Sequence, residues 1–163
     1  MGCDIHWYVE YQPKDRLHNH WTPLGNKWLI WRDYDLFSWL AGVRNDGSIV
    51  PPYPPRGIPT DMGWSAKDDY TLVISDEPDG YERSCTTKEA ETYLKYSSTR
   101  VSEYRITHPD WHTPSWLTTQ ELRNVLEQYK ESKQNDDVWA SLVAMEYLES
   151  KGNVVRVVFW FDN

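Results

Sequence analysis

The last ten residues contain the feature that most constrains the fold of this chain. From position 154 to position 161 the side chains are apolar on nearly both faces of an extended strand, and Arg156 is the single charged residue among them. A strand that is apolar on both faces is typical of the interior of a sheet, so this segment predicts a central strand. Arg156 then needs a partner or a ligand, because an unpaired buried charge is costly.

The N-terminal segment predicts a second strand, which we expect to lie close to the C-terminal one. Alternation over residues 4–11 places Asp4 and His6 on one face, about 7 Å apart between their Cα atoms. Cys3 falls on the opposite face, which favours a small buried residue over a metal ligand shared with the other two. Reactive groups this close to a terminus, which is usually frayed, indicate a strand that is held in a sheet.

The segments between the terminal strands carry helix signals. A Pro-rich loop is expected near 51–59 and a variable segment near 69–105. Further strands are expected at 27–32 and 70–75. Helices are predicted at 34–43 with Asp33 as N-cap, from capping-box patterns at 86–89 and 118–121, and at 137–149. This order predicts one α+β domain over residues 1–163, in which a mixed or antiparallel sheet includes both terminal strands and about four helices pack on it.

Composition limits the classes of partner. The net charge of −8 and the pI near 5.0 argue against binding to extended nucleic acid, which needs a basic surface. Two cysteines are too few for a disulfide scaffold or a four-cysteine zinc site. No apolar run approaches a membrane span and no signal peptide precedes the first strand, so we expect a cytoplasmic protein without a membrane partner. The 10 Trp and 11 Tyr suit a pocket or an interface, and a homodimer fits such a composition.

The first candidate cluster is the pair Asp4 and His6. An aspartate beside a histidine holds its tautomer and raises its basicity. His6 is then a candidate general base, phosphate donor or metal ligand, and the alternative is a half-buried histidine with satisfied hydrogen bonds.

The second candidate cluster lies at 111–117, just before a predicted helix. A helix N-terminus offers free N–H groups to an anion, while His112 and Ser115 add hydrogen-bonding groups and Trp116 adds a stacking surface. The alternative is a capped helix with Trp116 as its hydrophobic staple.

The third cluster consists of arginine-bearing loops. Arg44 with Asn45, and Arg56, are candidates to clamp a phosphate or carboxylate. The alternative for Arg56 is an ion pair with Asp61 that braces the loop. His18 and His20 are interpreted as surface residues, and neither a metal site nor a cofactor is predicted.

Several segments together resemble a family of small proteins of tailed phages, prophages and bacteria that begin Met-Gly-Cys-Asp-Ile-His. The resemblance spans the chain apart from the variable segment and rests on residues 1–6, 32–37, 40–45, 56–61, 112–118 and 156–163. Pro114 stands where the family commonly has a second histidine, which weakens any mechanism that needs two histidines in that segment. The resemblance implies a phage context, hence the host cytoplasm, and supplies candidate positions but no reaction.

Three functions remain open at this point. The leading hypothesis is a phage accessory protein that binds a small anionic, nucleotide-like ligand and so sequesters a host defence signal. The alternative is a hydrolase of a nucleotide or phosphodiester, metal-assisted or not, with His6 and His112 as base and acid. The third is an interaction module that inhibits a host enzyme through a Trp-rich surface. The predicted ligand-binding residues are Asp4, His6, Arg44, Asn45, Arg56, His112, Ser115 and Trp116.

Overall fold

The computed structural model describes residues 2–15, 19–77, 83–129 and 135–163. This part of the chain forms one α+β domain, as predicted, with five helices and two four-stranded sheets. The helices are α1 (Tyr34–Ala41), α2 (Trp64–Tyr70), α3 (Thr87–Leu94), α4 (Thr119–Gln128) and α5 (Asp136–Ser150). The strands are β1 (Ile5–Gln12), β2 (Thr22–Pro23), β3 (Thr71–Ile74), β4 (Ser84–Cys85), β5 (Arg100–Ser102), β6 (Arg105–Thr107), β7 (His112–Thr118) and β8 (Val154–Phe161).

The larger sheet joins the two ends of the chain. Its strand order is β2-β1-β8-β7, and every pairing in it is antiparallel. Strand β1 pairs with β8 along its whole length, from Ile5 opposite Phe161 to Gln12 opposite Val154. The C-terminal strand is therefore central, and the predicted closeness of the terminal strands is confirmed.

Both faces of the larger sheet are covered. One face of β1, with Trp7 fully buried, belongs to the main core together with α1, α4 and α5. Cys3 is also buried in that core, on the side opposite His6, and burial raises the pKa of its thiol. The other face packs Tyr8 and Trp160 against α2 in a smaller aromatic cluster. Polar groups on this second face are thus enclosed rather than solvated.

Three helices begin where local signals predicted them. Asp33 caps α1 by accepting from the N–H groups of Asp35 and Leu36. Thr86 and Thr118 form complete capping boxes with glutamates three residues later, at the starts of α3 and α4. These caps satisfy backbone donors that a helix cannot satisfy itself. The helix predicted at 137–149 is also present, as α5.

The strand predicted at 27–32 is wrong. Only Trp28 forms a bridge there, opposite Trp7. The N–H groups of Leu24 and Trp28 donate to carbonyls of Val9 and Trp7, which lie two residues apart on β1. Leu24 and Trp28 are four positions apart, whereas their partners on β1 are only two positions apart. The segment between Leu24 and Trp28 must therefore bulge. The bulge carries Lys27 to the face of β1 that holds His6.

The smaller sheet has the strand order β4-β3-β6-β5. The strand predicted at 70–75 is confirmed as β3. Helix α2 leads directly into β3 and was not predicted. It buries Asp69 and Tyr70 against the aromatic cluster. The fold thereby buries the Asp69 carboxylate, although its segment carries no clear helix or strand pattern in the sequence.

Arg156 has the partner that its burial requires. Its Nε donates to the fully buried Glu10 at 3.0 Å, and its Nη1 donates to Asp61 at 2.9 Å. The guanidinium lies 3.7 Å from the ring centroid of Trp21. Glu10 also accepts from the N–H of Gly63 at 2.6 Å. The charge on the central strand is thus structural, and it ties the loop before α2 to the sheet.

Candidate functional site

Five side chains form a polar network around the buried His6, which we call the His6 cluster. Nδ1 of His6 lies 2.9 Å from Oδ2 of Asp69, and Nε2 lies 3.3 Å from Oδ2 of Asp162. The Tyr8 hydroxyl donates to the same Asp69 oxygen at 2.7 Å. Nζ of Lys27 approaches Nδ1 of His6 at 3.1 Å. One imidazole thus sits between two carboxylates and beside an amine.

Charge and burial set the proton positions in the cluster. Burial, together with the neighbouring Lys27 ammonium, lowers the pKa of His6 to about 4. Burial also lowers the pKa of Lys27 and raises that of Tyr8 to about 12. With its single N–H on Nε2, a neutral His6 donates to Asp162 and accepts at Nδ1 from Lys27. With the N–H on Nδ1 it donates to Asp69 instead. A pKa of about 4 describes a ring that carries no charge in either tautomer at neutral pH.

Asp69 is held from its far side. Arg83 forms an ion pair with its carboxylate and also donates to its main-chain carbonyl at 2.8 Å. The indole N–H of Trp111 donates to that carbonyl at 3.0 Å. The Trp111 ring lies 4.3 Å from the ring of His6 and 4.1 Å from the ring of His108, between centroids. This packing fixes the position of the carboxylate that faces His6.

Asp162 joins two of the predicted clusters, the first strand and the His112 segment. Its Oδ1 accepts from the N–H of Asp4 at 2.7 Å, and its own N–H donates to the Asp4 carbonyl at 3.1 Å. Nε2 of His112 lies 3.3 Å from the carbonyl oxygen of Asp162. The first strand and the His112 segment therefore meet, through a residue that the sequence did not single out.

An open cleft of about 860 Å³ lies over this junction, and we call it the termini cleft. Asp4 and Arg32 form one side of it and bind each other through two hydrogen bonds of 2.7 Å. That bond lowers the pKa of Asp4. Lys27 and Asp162 connect the cleft to the buried His6, which does not line it. The lining residues are Asp4, Ile5, Lys27, Leu29, Ile30, Trp31, Arg32, Asp137 and Asp162.

The Arg56 segment lies elsewhere and forms a brace. Its guanidinium binds Glu121 at 2.9 and 2.5 Å, and its main-chain N–H donates to Ser115 at 3.2 Å. The ring of Trp116 stacks 4.6 Å from the guanidinium carbon. The alternative pairing of Arg56 with Asp61 is wrong, since Asp61 binds Arg156 instead.

The start of α4 does not offer the predicted open anion site. Residues 112–118 form an edge strand, β7, that runs directly into the helix. The Glu121 carboxylate accepts from the N–H of Thr118 at 2.9 Å and pairs with Arg56. A negative charge already in the first turn disfavours a second anion there.

Arg44 and Asn45 shape the loop that follows α1. Asn45 accepts from the N–H groups of Gly47 and Ile49 at 3.0 and 3.3 Å, which closes the loop on itself. Arg44 adopts a positive φ of 56°, and its guanidinium carbon lies 5.8 Å from the centroid of the Tyr34 ring. Neither residue lines the termini cleft.

The site also contains residues that the sequence interpretation missed. Lys27 carries no sequence signal, because a bulge rather than a motif places it. Asp69 lies in the segment interpreted as variable. Asp162 falls inside the C-terminal segment of the family resemblance, which was the one available hint. His18, interpreted as a surface residue, lies outside the described residues, and His20 is exposed.

Within the described ranges, no group of three or more His, Cys, Asp or Glu residues is placed to hold a metal ion. None of the described helices is long and apolar enough to cross a membrane. No protein-family model matches this chain, and no curated protein or solved structure is significantly similar to it. A function must therefore be argued from the cleft and from the groups beneath it.

Proposed function

We propose that this protein binds a small anionic, nucleotide-like ligand in the termini cleft. The observation that carries the proposal is the combination, in one open cavity of about 860 Å³, of an exposed indole, two cations and three carboxylates. That volume lies within the usual range for small-molecule sites, roughly 300–1,000 Å³. The elements of nucleotide recognition, a stacking surface and groups for phosphate and sugar, are thus close together.

The stacking surface is Trp31. Its side chain is 74% exposed although it is large and apolar, and the neighbouring Leu29 is 81% exposed. A planar base stacks on such a ring with little dependence on base identity. Contact with a nucleobase would therefore remove the apolar ring of Trp31 from water.

The polar groups of the cleft suit the rest of a nucleotide. Arg32 binds Asp4 through Nε and Nη2, and Lys27 adds a second cation for a phosphate oxygen. Asp137 and Asp162 are acceptors for sugar hydroxyls or base amino groups. Because three carboxylates outnumber two cations, each further negative charge on the ligand adds to the repulsion, so a cyclic nucleotide or a nucleoside monophosphate suits the cleft better than a triphosphate.

The family resemblance extends this proposal to a biological role. A phage protein in the host cytoplasm that holds such a ligand would remove a nucleotide signal of host defence. Sequestration requires enclosure and affinity rather than chemistry. The described lining of the cleft contains no hydroxyl, thiol or imidazole side chain that would attack a phosphate ester, which agrees with a binder of nucleotides.

The test is calorimetry with a panel of cyclic and linear nucleotides, including cyclic ADP-ribose isomers. We expect heat of binding from at least one mononucleotide. Trp31→Ala should weaken it about 5-fold to 150-fold, because one base-stacking contact is worth about 1–3 kcal/mol. Trp64→Ala is the matched control, since Trp64 is 64% exposed but lies outside the cleft. Absence of heat from the whole panel contradicts the proposal, as does an equal effect of both variants.

The two other functions have weaker support. A hydrolase that uses His6 and His112 needs both imidazoles at one reacting group, yet neither lines the cleft and His6 is only 4% exposed. An interaction module is supported by exposed Leu29 and Trp31. The calorimetric panel separates it from a ligand binder, because a protein-binding surface gives no nucleotide heat.

A further inference from the structure

The contact between Lys27 and His6 has the geometry of a nucleophile and its base. Nζ of Lys27 lies 3.1 Å from Nδ1 of His6, and Lys27 lines the termini cleft. The opposite nitrogen of His6 lies 3.3 Å from Oδ2 of Asp162. A nucleophile, a base within hydrogen-bond reach and a third group that orients the base form the arrangement that activates nucleophiles in enzymes.

The neutral imidazole is the resting form of His6, and the two carboxylates beside it lower the cost of a transient transfer of the Lys27 proton to the ring. A neutral imidazole has one N–H and so donates to only one of Asp69 and Asp162. An imidazolium donates to both, at 2.9 and 3.3 Å. An ammonium on Lys27, 3.1 Å from Nδ1, disfavours the imidazolium by charge repulsion. The imidazolium therefore forms when Lys27 gives up its own proton, and the pair holds one positive charge between its two members.

Proton transfer leaves an uncharged amine in the cleft. The alternative state, an ammonium beside a neutral imidazole, places the Nδ1 lone pair 2.9 Å from an Asp69 oxygen. The Tyr8 hydroxyl, which donates to that same oxygen at 2.7 Å, relieves part of this repulsion. Neighbouring groups thus support both states, and the imidazolium with an uncharged amine is a minor state that is reached from the neutral resting form.

We propose that Lys27 is a nucleophilic amine that captures small anionic aldehydes in the termini cleft as an imine. The lone pair of Nζ forms a bond to the carbonyl carbon, and the π pair of the C=O bond moves to oxygen, which is protonated. Over the whole step the nitrogen loses two protons and the carbonyl oxygen gains two, one to form the hydroxyl group and one as the C–O bond breaks, so that amine and aldehyde become imine and water. Arg32, at the side of the cleft, attracts the anionic group. The proposal goes beyond nucleotide binding and does not depend on it.

The test is competitive labelling of the intact protein. Pyridoxal 5′-phosphate, an aromatic aldehyde with one phosphate, is added at substoichiometric concentration near pH 7 and the imine is reduced with borohydride. Peptide mass spectrometry then compares Lys27 with Lys88 and Lys95, two exposed lysines in the same chain. We expect Lys27 to react about tenfold faster or more, because proton transfer to His6 leaves a fraction of the Lys27 amine uncharged, and that fraction does not fall with pH while the pair holds one proton. Equal labelling of the three lysines overturns the proposal.

Two further measurements separate activation from simple access. His6→Gln should reduce labelling of Lys27 to the level of Lys88 while leaving Lys88 unchanged, and an unaltered Lys27 rate in this variant overturns the role of His6. The second measurement is the pH profile of the wild-type protein, which needs no variant to fold. The rate at Lys88 should fall about tenfold per pH unit, whereas the rate at Lys27 should fall less steeply between pH 8 and 6. Parallel profiles also overturn the proposal.

The pH profile depends on the charged and titratable groups that face the pair. These are Asp162 and Asp4 from the cleft, Asp69 from α2, Tyr8 from β1, Arg83 and His108. Labelling and calorimetry have independent readouts. A protein that binds nucleotides but shows no preference for Lys27 refutes only this inference, and one that labels at Lys27 without nucleotide heat refutes only the proposed function.

Discussion

Acidification provides a direct test of the His6 cluster. The pKa of His6 is lowered to about 4 from an ordinary value of 6.5, chiefly by burial and by the Lys27 charge. Between these two pH values the unfolded chain binds a proton that the folded protein excludes. The contribution of His6 to stability is thus complete above pH 6.5 and is lost as the pH falls towards 4. Its full size is about 3 kcal/mol, since a tenfold change in proton affinity is worth about 1.4 kcal/mol.

Two measurements check this prediction. In an NMR titration, the imidazole C–H resonances of His6 should stay constant from pH 8 to about 5.5 and change with a midpoint near 4. In urea unfolding, the wild-type protein should lose about 2 kcal/mol more than His6→Gln between pH 7 and pH 4.5, because the other titrating groups are common to both. A midpoint above 6, or equal losses in the two proteins, would refute the argument that burial beside Lys27 keeps His6 neutral.

Two ion pairs with different burial should respond differently to mutation. Arg156→Met should lower the free energy of unfolding by about 3–5 kcal/mol, because it leaves the buried Glu10 carboxylate without its partner. Adding Glu10→Leu to this variant should recover most of the loss. A loss below about 1 kcal/mol for Arg156→Met in urea unfolding would contradict this prediction. Arg56→Gln should cost about 1 kcal/mol or less, because its pair with Glu121 is partly solvated. It should not change ligand affinity in calorimetry, and a tenfold weakening would return Arg56 to the binding site.

Local signals predicted the elements that depend on neighbouring residues. The capping boxes at Thr86 and Thr118 and the N-cap at Asp33 marked helix starts that the structure contains, because a cap is completed within one turn. The apolar C-terminal segment predicted a central strand for a similar reason, since only burial on both faces accommodates such a run. Helix α2 carried no comparable cap and escaped prediction.

The candidate site was predictable only in part. Strand alternation placed His6 on the face opposite Cys3, and the structure agrees. The predicted Arg56 clamp became a brace, because a glutamate from the capping box of α4 lies within reach of it. No spacing rule could find Lys27, whose place follows from a bulge in pairing with β1.

By itself, the sequence determined which segments must be buried and which helix ends are capped, since both follow from side chains within a few residues of one another. Tertiary structure alone decided which charges meet. Asp69 and Asp162 stand 63 and 156 positions from His6, yet both contact its ring. Pairing between β1 and β8 brings the two ends of the chain together, and α2 adds the remaining carboxylate. The chemistry of the cleft therefore comes from long-range packing, which a linear pattern does not encode.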